Sequence, residues 1–332
     1  MHKKSCKRRE NRVYNGFLSQ EICGMESNPE WREAMEISFI GVGVMGGGMC
    51  RNLLKKGLKI RAIARKKEHL LPFQQAGAAI STRNRDAADS PVIFLCLPDG
   101  AAVRQVLLGE KGLLEYLEPG TVLVDCSTLG YLEARELAGL CSKRGVDYLD
   151  APISGHQAKA EDGTLTIMVG GREDAFRQVK PLLEAVGSTI LYMGESGSGQ
   201  LTKMINNCAL NICTAAFCEL MPLGVKMGLS PEKLGKVLMT ASGSSYASCH
   251  LIPKVLEGDF AYGFSLERAY KDMAHMAELT TRFQVPLPTL QGTMQTYQLA
   301  LRHGEGKLYK GAMIRFYEDL LGVECRREKK EP

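Results

Sequence analysis

The sequence lacks the patterns that mark a metal site, a disulfide framework or a membrane span. Its 11 cysteines form no CxxC pair and have no histidine partner at zinc-finger spacing. An odd, dispersed count is typical of reduced thiols in a cytosol-like compartment. No uninterrupted apolar run reaches the roughly 18 residues of a membrane helix. We therefore expect a cytoplasmic protein with no bound metal and no membrane partner.

A strong charge is also lacking once the two ends of the chain are set aside. The formal net charge is +5, but residues 1–12 alone contribute +5 and residues 326–332 contribute +2. The intervening residues 13–325 therefore carry −2. Short basic tails are usually just solvated, so we expect no nucleic-acid partner.

Residues 36–192 alternate between apolar strand-like runs and amphipathic segments. We predict helices over 49–56, 102–108, 131–141 and 173–186, and strands at EISFIG, KIRAIA, PVIFLCLP, TVLVDCS, VDYLD, TLTIMVGG and TILYMG. This rhythm predicts a mostly parallel sheet covered on both faces. After Gly199 the strand signals stop, and the remainder is predicted to be helical, with breaks at MGLSPEK, EGDFAYGF and VPLP.

The first predicted strand runs directly into a glycine-rich turn, FIGVGVMGGGMCRNLLKKG. Gly41, Gly43 and Gly46 have the GxGxxG spacing, and an amphipathic helix follows them. Glycines allow a tight turn and a close approach of the backbone to a pyrophosphate, and the helix N-terminus offers free N–H groups. A structural glycine turn is the alternative, but the position between a first strand and a first helix favours a dinucleotide site.

The second strand bears on which dinucleotide binds. NAD-binding folds usually have an acidic residue at its end, which holds the ribose hydroxyls. Here the strand ends IRAIARKK, so that Ala64 takes the place of the acid and Arg65, Lys66 and Lys67 follow. A 2′-phosphate would meet three cations there. The sequence favours NADP(H) over NAD(H), the alternative being a solvated basic turn.

These features divide a chain of 332 residues into two domains, as its length alone suggests. Residues 35–195 are predicted to form an α/β, Rossmann-type NAD(P)-binding domain, and 196–325 an all-α substrate and oligomerisation domain. Residues 1–34 lack the apolar core of a signal peptide and contain several glutamates, so we expect a disordered extension or the product of an upstream start site. Residues 326–332 form a tail.

One lysine stands out at the start of the second domain, in the stretch GQLTKMINN. Lys203 is the one charged side chain between Ser196 and Cys218. On a helix it aligns with Asn207 and Asn211 at intervals of four, which makes a polar stripe. Burial lowers the pKa of a lysine toward ambient pH, where a general acid/base works best. The alternative is a stripe that faces solvent or lines a domain contact, and this segment alone leaves both open.

The order of the motifs favours the catalytic interpretation. A glycine-rich first turn, DCST, DAPISGHQAKAEDGTLTIMVGG, GQLTKxxNN and a late FSLERAYKD closely resemble the β-hydroxyacid dehydrogenase family. The resemblance covers roughly residues 36–324. The family includes 3-hydroxyisobutyrate dehydrogenases, tartronate semialdehyde reductases, and glyoxylate and succinic semialdehyde reductases.

The resemblance implies a role for individual residues. Lys203 matches the catalytic lysine, which exchanges a proton with the substrate oxygen during hydride transfer to or from the nicotinamide. The positions that match substrate-binding residues are Ser127, Ser154, Gly155 and Asn207. Those that match cofactor-binding residues are Gly41, Gly43, Met45, Gly46, Arg65, Leu97, Pro98, Thr128 and Lys271. By itself, Lys271 would be read as half of a Glu267–Lys271 helix pair. The family habit also implies a homodimer or homotetramer and a small carboxylate-bearing substrate.

The chain departs from the family pattern at two places. His156 stands where relatives usually have a second glycine, and a positive φ there would strain it. Its imidazole would meet a second anionic or polar group of the substrate, narrow the pocket, or point outward. The second departure is GKLYKG over residues 306–311, which we expect to change an oligomer contact.

Two other functions compete with a dehydrogenase. One is a non-catalytic NADPH-binding interaction module, against which the retention of Lys203 and Asn207 counts. The other is a related imine reductase or decarboxylating sugar-acid dehydrogenase. Imine reductases generally replace the lysine, and the phosphate-binding residues of the sugar-acid enzymes are not found in this sequence.

Overall fold

The computed structural model describes residues 36–261 and 263–327, which form nine strands and twelve α-helices. The strands are β1 Glu36–Ile40, β2 Lys59–Ile63, β3 Ala79–Ser81, β4 Val92–Leu95, β5 Val122–Asp125, β6 Asp147–Asp150, β7 Ile153–Ser154, β8 Leu165–Gly170 and β9 Gly187–Gly194. The helices are α1 Val44–Lys55, α2 Leu71–Gln75, α3 Gly100–Leu108, α4 Tyr131–Ser142, α5 Gln157–Asp162, α6 Glu173–Leu183, α7 Ser198–Lys226, α8 Pro231–Thr240, α9 Tyr246–Glu257, α10 Leu266–Phe283, α11 Pro288–Arg302 and α12 Ile314–Leu321.

The described chain divides into two compact units, the first ending at Lys203 and the second beginning at Met204. The division falls inside α7, because that helix is continuous from Ser198 to Lys226. The boundary predicted from the sequence, 195/196, lies just before this helix. The first unit holds the sheet with the helices around it, and the second contains helices α8 to α12, so the α/β-then-α order predicted from the sequence is confirmed.

The sheet of the first unit has the order β3-β2-β1-β4-β5-β6-β8-β7, with β9 paired to β8. The six strands from β3 to β6 are parallel, and β8 runs antiparallel to β6 and β7. The chain order reverses between β1 and β4, which lie side by side. In open α/β sheets such a reversal leaves a crevice at the carboxyl ends of the strands, where ligands bind.

Both faces of the sheet are buried, as its strands with little polar content require. Phe39 and Phe94 belong to one apolar cluster and stack with their ring centroids 5.7 Å apart. Their neighbours in sequence, Ile40 and Leu95, point to the opposite face and belong to a second cluster. Alternate side chains of one strand therefore stabilise two different layers of helices.

All seven predicted strands are present, but four short elements escaped prediction. The strands β3 and β7 and the helices α2 and α5 have two to six residues, too few to display a hydrophobic period. The first helix also begins at Val44 and not at Met49, because Gly46, Gly47 and Gly48 lie inside it and hide its amphipathic pattern.

The three predicted breaks in the second unit all separate helices. Two of them have recognisable local chemistry: Ser230 caps α8 just before Pro231, and Ser265 caps α10 by accepting a hydrogen bond from the Arg268 amide. The helix α7 has a mean hydropathy of 1.6 over an 18-residue window, and by length and composition alone it would span a membrane. Core helices of soluble proteins meet the same criterion, and only 44% of this window is buried.

Candidate active site

The glycine loop after β1 has a conformation that only glycine fits. Gly41 has φ +98°, donates its N–H to Ile63 O at 3.0 Å, and leaves no room for a Cβ against the carbonyl of Cys96. A Cβ on Gly46 would collide with Gly41 O. Gly43 is different, because a Cβ on it would have no atom within 4 Å. The loop is therefore packed tightly at Gly41 and Gly46, and at Gly43 it has open space that a ligand could occupy.

The start of α1 fits the pyrophosphate of a dinucleotide. Gly43 is its N-cap residue and supplies no side-chain hydrogen bond, and no acidic residue lies in the first turn. The first N–H groups of the helix thus have no side-chain cap, in the arrangement that binds phosphate. Met45 is half-buried and packs on the apolar cluster beneath. This turn therefore fits the group that the sequence predicts for it.

The cations after β2 lie just beyond the end of that strand. Ala64 is half-buried, and Arg65, Lys66 and Lys67 are all exposed. Arg65 forms no ion pair with any described residue, whereas Arg61 in the strand itself pairs with Glu36 at 2.8 Å. The guanidinium of Arg65 is consequently available to an anion.

The loops after β4 and β5 are joined by a hydrogen bond. The amide of Leu97 donates to the hydroxyl of Ser127 at 2.9 Å, and Ser127 is only 2% exposed. Thr128 is half-buried and Pro98 is exposed. The Ser127 hydroxyl thus already accepts a hydrogen bond from the loop after β4. Its predicted contact with the substrate carboxylate stays a prediction, as does the cofactor contact of Thr128.

The loop after β6 contains the other predicted substrate residues. Ser154 pairs with Thr166 in the sheet, and Gly155 has φ +143°, a conformation that favours glycine. His156 has φ −109° and is exposed, so the strain that we considered for a histidine at this position does not arise. A Cβ on Gly155 would lie 3.1 Å from Cβ and Cδ of Lys159, whose stem therefore lies against one side of Gly155.

Lys203 lies on the second turn of α7 and is half-buried. Three residues before it, Gln200 is fully buried and reaches the loop after β5. Its Nε2 donates to Ser127 O at 2.7 Å, and its Oε1 accepts from the Leu129 amide at 3.1 Å. One side chain thus grips the backbone on both sides of Thr128.

The start of α7 is capped by a carboxylate from another element. Gly197, at the N-cap position, has φ +94° and no side chain to offer. Asp150, at the end of β6, accepts from the amide of Gly197 at 2.7 Å and from that of Gln200 at 2.9 Å. A negative charge at a helix N-terminus is favourable. Burial is nevertheless the dominant influence and raises the pKa of Asp150 to about 6.

A second buried carboxylate lies beside the first, because Asp125 pairs with Asp150 in the register of β5 and β6. It accepts from the Ser127 amide at 2.9 Å and from the Tyr148 hydroxyl at 2.6 Å. Burial again raises the pKa of Asp125, while the hydrogen bonds from Ser127 and Tyr148 oppose the rise. Both acids therefore brace the loops at the carboxyl edge of the sheet.

In the second unit, the amide stripe of α7 is held by side chains of other elements. Asn207 donates to Asp272 Oδ2 at 2.7 Å. Asn211 is buried, donates to Ala269 O at 3.2 Å, and accepts from Lys310 Nζ at 2.8 Å. Asn211 is therefore a structural residue of this unit, and the stripe is not solvated along its whole length.

The two remaining predictions in this unit have different outcomes. Lys271 is exposed on α10, next to Asp272, and forms no ion pair with Glu267 or any other described residue. Its predicted cofactor contact stays a prediction. Lys310, within the GKLYKG departure, is 4% exposed and bonded to Asn211. Lys310 is therefore part of the internal packing of its own unit. The change in an oligomer contact that the sequence predicts for this segment does not account for its burial.

Sequence reasoning missed four polar residues of these sites: Asp125, Asp150, Gln200 and Asp272. Asp125 and Asp150 end apolar strands, and Gln200 lies in the first turn of an apolar helix. A polar side chain at such a position, next to a predicted functional motif, is the signal that could have identified these three.

The chain is similar over most of its described length to known dehydrogenases. Residues 36–194 match the NAD binding domain of 6-phosphogluconate dehydrogenase, and residues 197–317 match the NAD-binding region of NADP-dependent 3-hydroxyisobutyrate dehydrogenase. The chain is 36% identical to the 2-(hydroxymethyl)glutarate dehydrogenase of Eubacterium barkeri, over 88% of this chain and 97% of that protein. It is 34% identical to the NAD-dependent L-serine dehydrogenase of Pseudomonas aeruginosa, over 81% and 94%.

A solved structure shows the same fold. The 3-hydroxyisobutyrate dehydrogenase of Mycobacterium tuberculosis, determined with L-serine, superposes with a TM-score of 0.77 and 29% identity. The match covers 85% of this chain and 98% of that one. Both units of the chain are therefore represented in an enzyme of known structure.

The buried carboxylate beneath α7 predicts a pH dependence of stability. Because the pKa of Asp150 is raised from 3.8 to about 6 on folding, the native state holds its proton more tightly, and its contribution to stability falls as pH rises between those values. Asparagine at this position does not titrate. The stability advantage of the parent over Asp150→Asn should therefore shrink by about 1 kcal/mol between pH 5 and pH 7. Urea unfolding at both pH values measures it, and an advantage that grows over this range would contradict the assignment.

Proposed function

The chain belongs to the β-hydroxyacid dehydrogenase family, and on that premise we propose that it interconverts a small β-hydroxy acid and its semialdehyde, with Lys203 as the general acid/base. The observation that supports the role of Lys203 most directly is its place on α7. It lies one turn beyond Gln200, which grips the loop of Thr128. The family makes the chain an NAD(P)-dependent oxidoreductase, and the place of Lys203 one turn after Gln200 on the same helix favours it as the residue that transfers the proton.

The names of the relatives suggest the reacting part of the substrate. 2-(Hydroxymethyl)glutarate, 3-hydroxyisobutyrate and L-serine share the skeleton HOCH2–CH(R)–COO⁻ and differ in R alone. We therefore propose a 3-hydroxypropanoate substituted at C2, or its semialdehyde. The carboxylate would bind at the Ser154–Gly155 loop, where it fixes which carbon is presented for reaction.

In this proposal a side chain of the protein exchanges the proton with the substrate, and the hydride is exchanged with the cofactor. When bound, the nicotinamide supplies the hydride acceptor for oxidation or the hydride donor for reduction. During oxidation, the neutral Lys203 amine takes the hydroxyl proton as the C–H bond to the carbinol carbon breaks and a C=O bond forms. During reduction, the Lys203 ammonium returns that proton to the aldehyde oxygen. Asn207 donates to Asp272 Oδ2, and the substrate contact that the resemblance implies for it stays a prediction.

The charge near Gly155 favours a substrate with an anionic R group. The stem of Lys159 lies against one side of Gly155, and the exposed His156 is the next residue in the chain. A cation beside the carboxylate-binding loop stabilises a second negative charge on a ligand bound there. Among the relatives, the glutarate derivative has such an R group by its name.

We predict that turnover depends on Lys203 and not on another lysine of the same helix. The assay is NADPH oxidation with 2-formylglutarate, which is the semialdehyde with the anionic R group, with methylmalonate and tartronate semialdehydes, and with succinic semialdehyde and glyoxylate for comparison. Lys203→Ala should lower kcat by at least about 1,000-fold, because proton transfer and orientation are both lost. The matched control is Lys226→Ala, at the exposed end of α7, which should keep parental activity.

The outcomes of this assay separate the competing functions. Loss of turnover with unchanged NADPH affinity supports the proposal. Retention of turnover in Lys203→Ala would contradict the assigned role of the lysine. Tight NADPH binding by the parent without turnover of any substrate would favour a non-catalytic NADPH-binding module.

We also propose that NADP(H) is preferred over NAD(H). Names with either cofactor occur among the relatives, so the support comes from Arg65 and the two lysines after it. Arg65 lies just past the end of β2, is exposed, and has no carboxylate partner among the described residues. Guanidinium groups bind phosphate by two parallel hydrogen bonds.

Replacing Arg65 should separate the two cofactors. Arg65→Glu is expected to weaken NADPH binding by about tenfold or more, through loss of a charge-assisted hydrogen bond and added repulsion, while NADH binding changes little. Fluorescence titration with each cofactor measures both constants. Lys143→Glu, an exposed charge reversal just after α4, is the control and should leave both unchanged. Equal losses for NADH and NADPH would contradict the proposal.

A further inference from the structure

We infer that Gln200 is a positioning residue. Its backbone amide is bound by the Asp150 carboxylate, and its side chain holds the Thr128 loop at one position along the helix that carries Lys203. The inference rests on the proposed function of Lys203, since it concerns how that lysine is aligned with the groups at the carboxyl edge of the sheet. Gln200 is fully buried, so it acts through other residues and does not itself meet a ligand.

The geometry of the Gln200 amide makes it specific for one arrangement of the loop. Its NH2 group donates to Ser127 O and its carbonyl accepts from the Leu129 amide. These two backbone groups flank Thr128. A shift of the loop along the helix would break both bonds at once and leave four buried polar groups without partners, which is costly. The loop has therefore one favoured register.

The connection extends to the loop after β4. Ser127, whose carbonyl is held by Gln200, accepts the Leu97 amide with its hydroxyl. The Ser127 amide in turn donates to the buried Asp125. Gln200 is thereby linked, through one residue, to the loops that follow β4 and β5. Both loops contain residues that the resemblance assigns to the cofactor, Leu97 and Thr128.

The other end of the connection is fixed at the start of α7. The amides of Gly197 and Gln200 both donate to Asp150, which anchors the first turn of the helix to β6. The approach is close, because a Cβ on Gly170 would lie 2.7 Å from Asp150 Oδ1 and one on Gly199 would collide with Met168 O and Asp150 O. The first turn of α7 is therefore held at a fixed position against β6 and β8, and Lys203 follows on the second turn.

This arrangement matters for catalysis because hydride and proton transfer need aligned atoms. A misplacement of about 1 Å from a distant change can cost on the order of 100-fold in rate. Gln200 sets the distance between the loop of Thr128 and the turn of Lys203. Its loss should therefore reduce the rate of the chemical step more than it reduces ligand affinity.

The test variant is Gln200→Met, which keeps the length and approximate volume of the side chain but removes both hydrogen bonds. We expect kcat to fall by about tenfold or more, with the dissociation constant of NADPH changed by less than about threefold. The deuterium isotope effect on kcat, measured with the substrate labelled at the carbinol carbon, should rise as the chemical step becomes rate-limiting. A merely structural role would not move this isotope effect.

The matched control is Ser38→Ala in the same unit. The hydroxyls of Ser38 and Ser90 form a fully buried pair at 2.8 Å, on β1 and just before β4, away from the loops. Its loss should lower the melting temperature and leave kcat and the isotope effect unchanged. If Gln200→Met does not fold, Gln200→Glu replaces it, since glutamate keeps the acceptor for the Leu129 amide but loses the donor for Ser127 O.

The outcomes separate this inference from the proposed function. If the parent enzyme turns over no substrate, the proposed function fails and the positioning role fails with it. If the parent is active and Gln200→Met has the same kcat and isotope effect despite a lower melting temperature, the residue is structural and the inference is wrong. A fall in kcat with a raised isotope effect and intact NADPH binding supports it.

Discussion

The arrangement of the site depends on how one helix begins. The helix α7 has a glycine at its N-cap and no acidic residue in its first turn, so its free N–H groups need an acceptor from elsewhere. Asp150 supplies it from the end of β6, at the cost of burying a carboxylate whose pKa rises to about 6. Because both partners of this contact are buried, the helix is fixed to the sheet at its first turn. The positions of Gln200 and Lys203 follow from that contact.

The same contact fixes the start of the helix that carries the lysine. Parallel strands bring the loops after β1, β4, β5 and β6 to one edge of the sheet, where the glycine turn accepts a dinucleotide. The same helix continues into the second unit, where Asn207 and Asn211 are held by Asp272 and Lys310. The lysine to which we assign proton transfer thus lies on a helix whose start is held by buried hydrogen bonds within the first unit. Lys203 lies on a helix and not on a loop, which limits how far its side chain can move.

The sequence predicts the long elements well and the buried polar contacts poorly. The seven longer strands, the all-α second unit and the breaks at Ser230–Pro231 and Gly258 follow from periodicity and turn chemistry, which are local. The contact of Gln200 with Ser127 joins residues more than seventy positions apart, and no local pattern encodes it. His156 shows a smaller failure: the positive φ considered for it lies one residue earlier, at Gly155, and His156 itself has φ −109°. Family resemblance assigns a catalytic role to Lys203 but does not predict the buried contacts at the start of its helix.

The most direct test of this account is amide hydrogen exchange in the parent protein, resolved at Leu129, Leu97, Gly197 and Gln200. Each of these N–H groups donates to a buried side chain in the structure, although Leu129 and Leu97 lie in loops outside regular elements. The account predicts protection of the two loop amides comparable to that of the central strands β4 and β5. Exchange of Leu129 and Leu97 as fast as that of exposed loops would show that the side chains do not hold them, and would contradict the account.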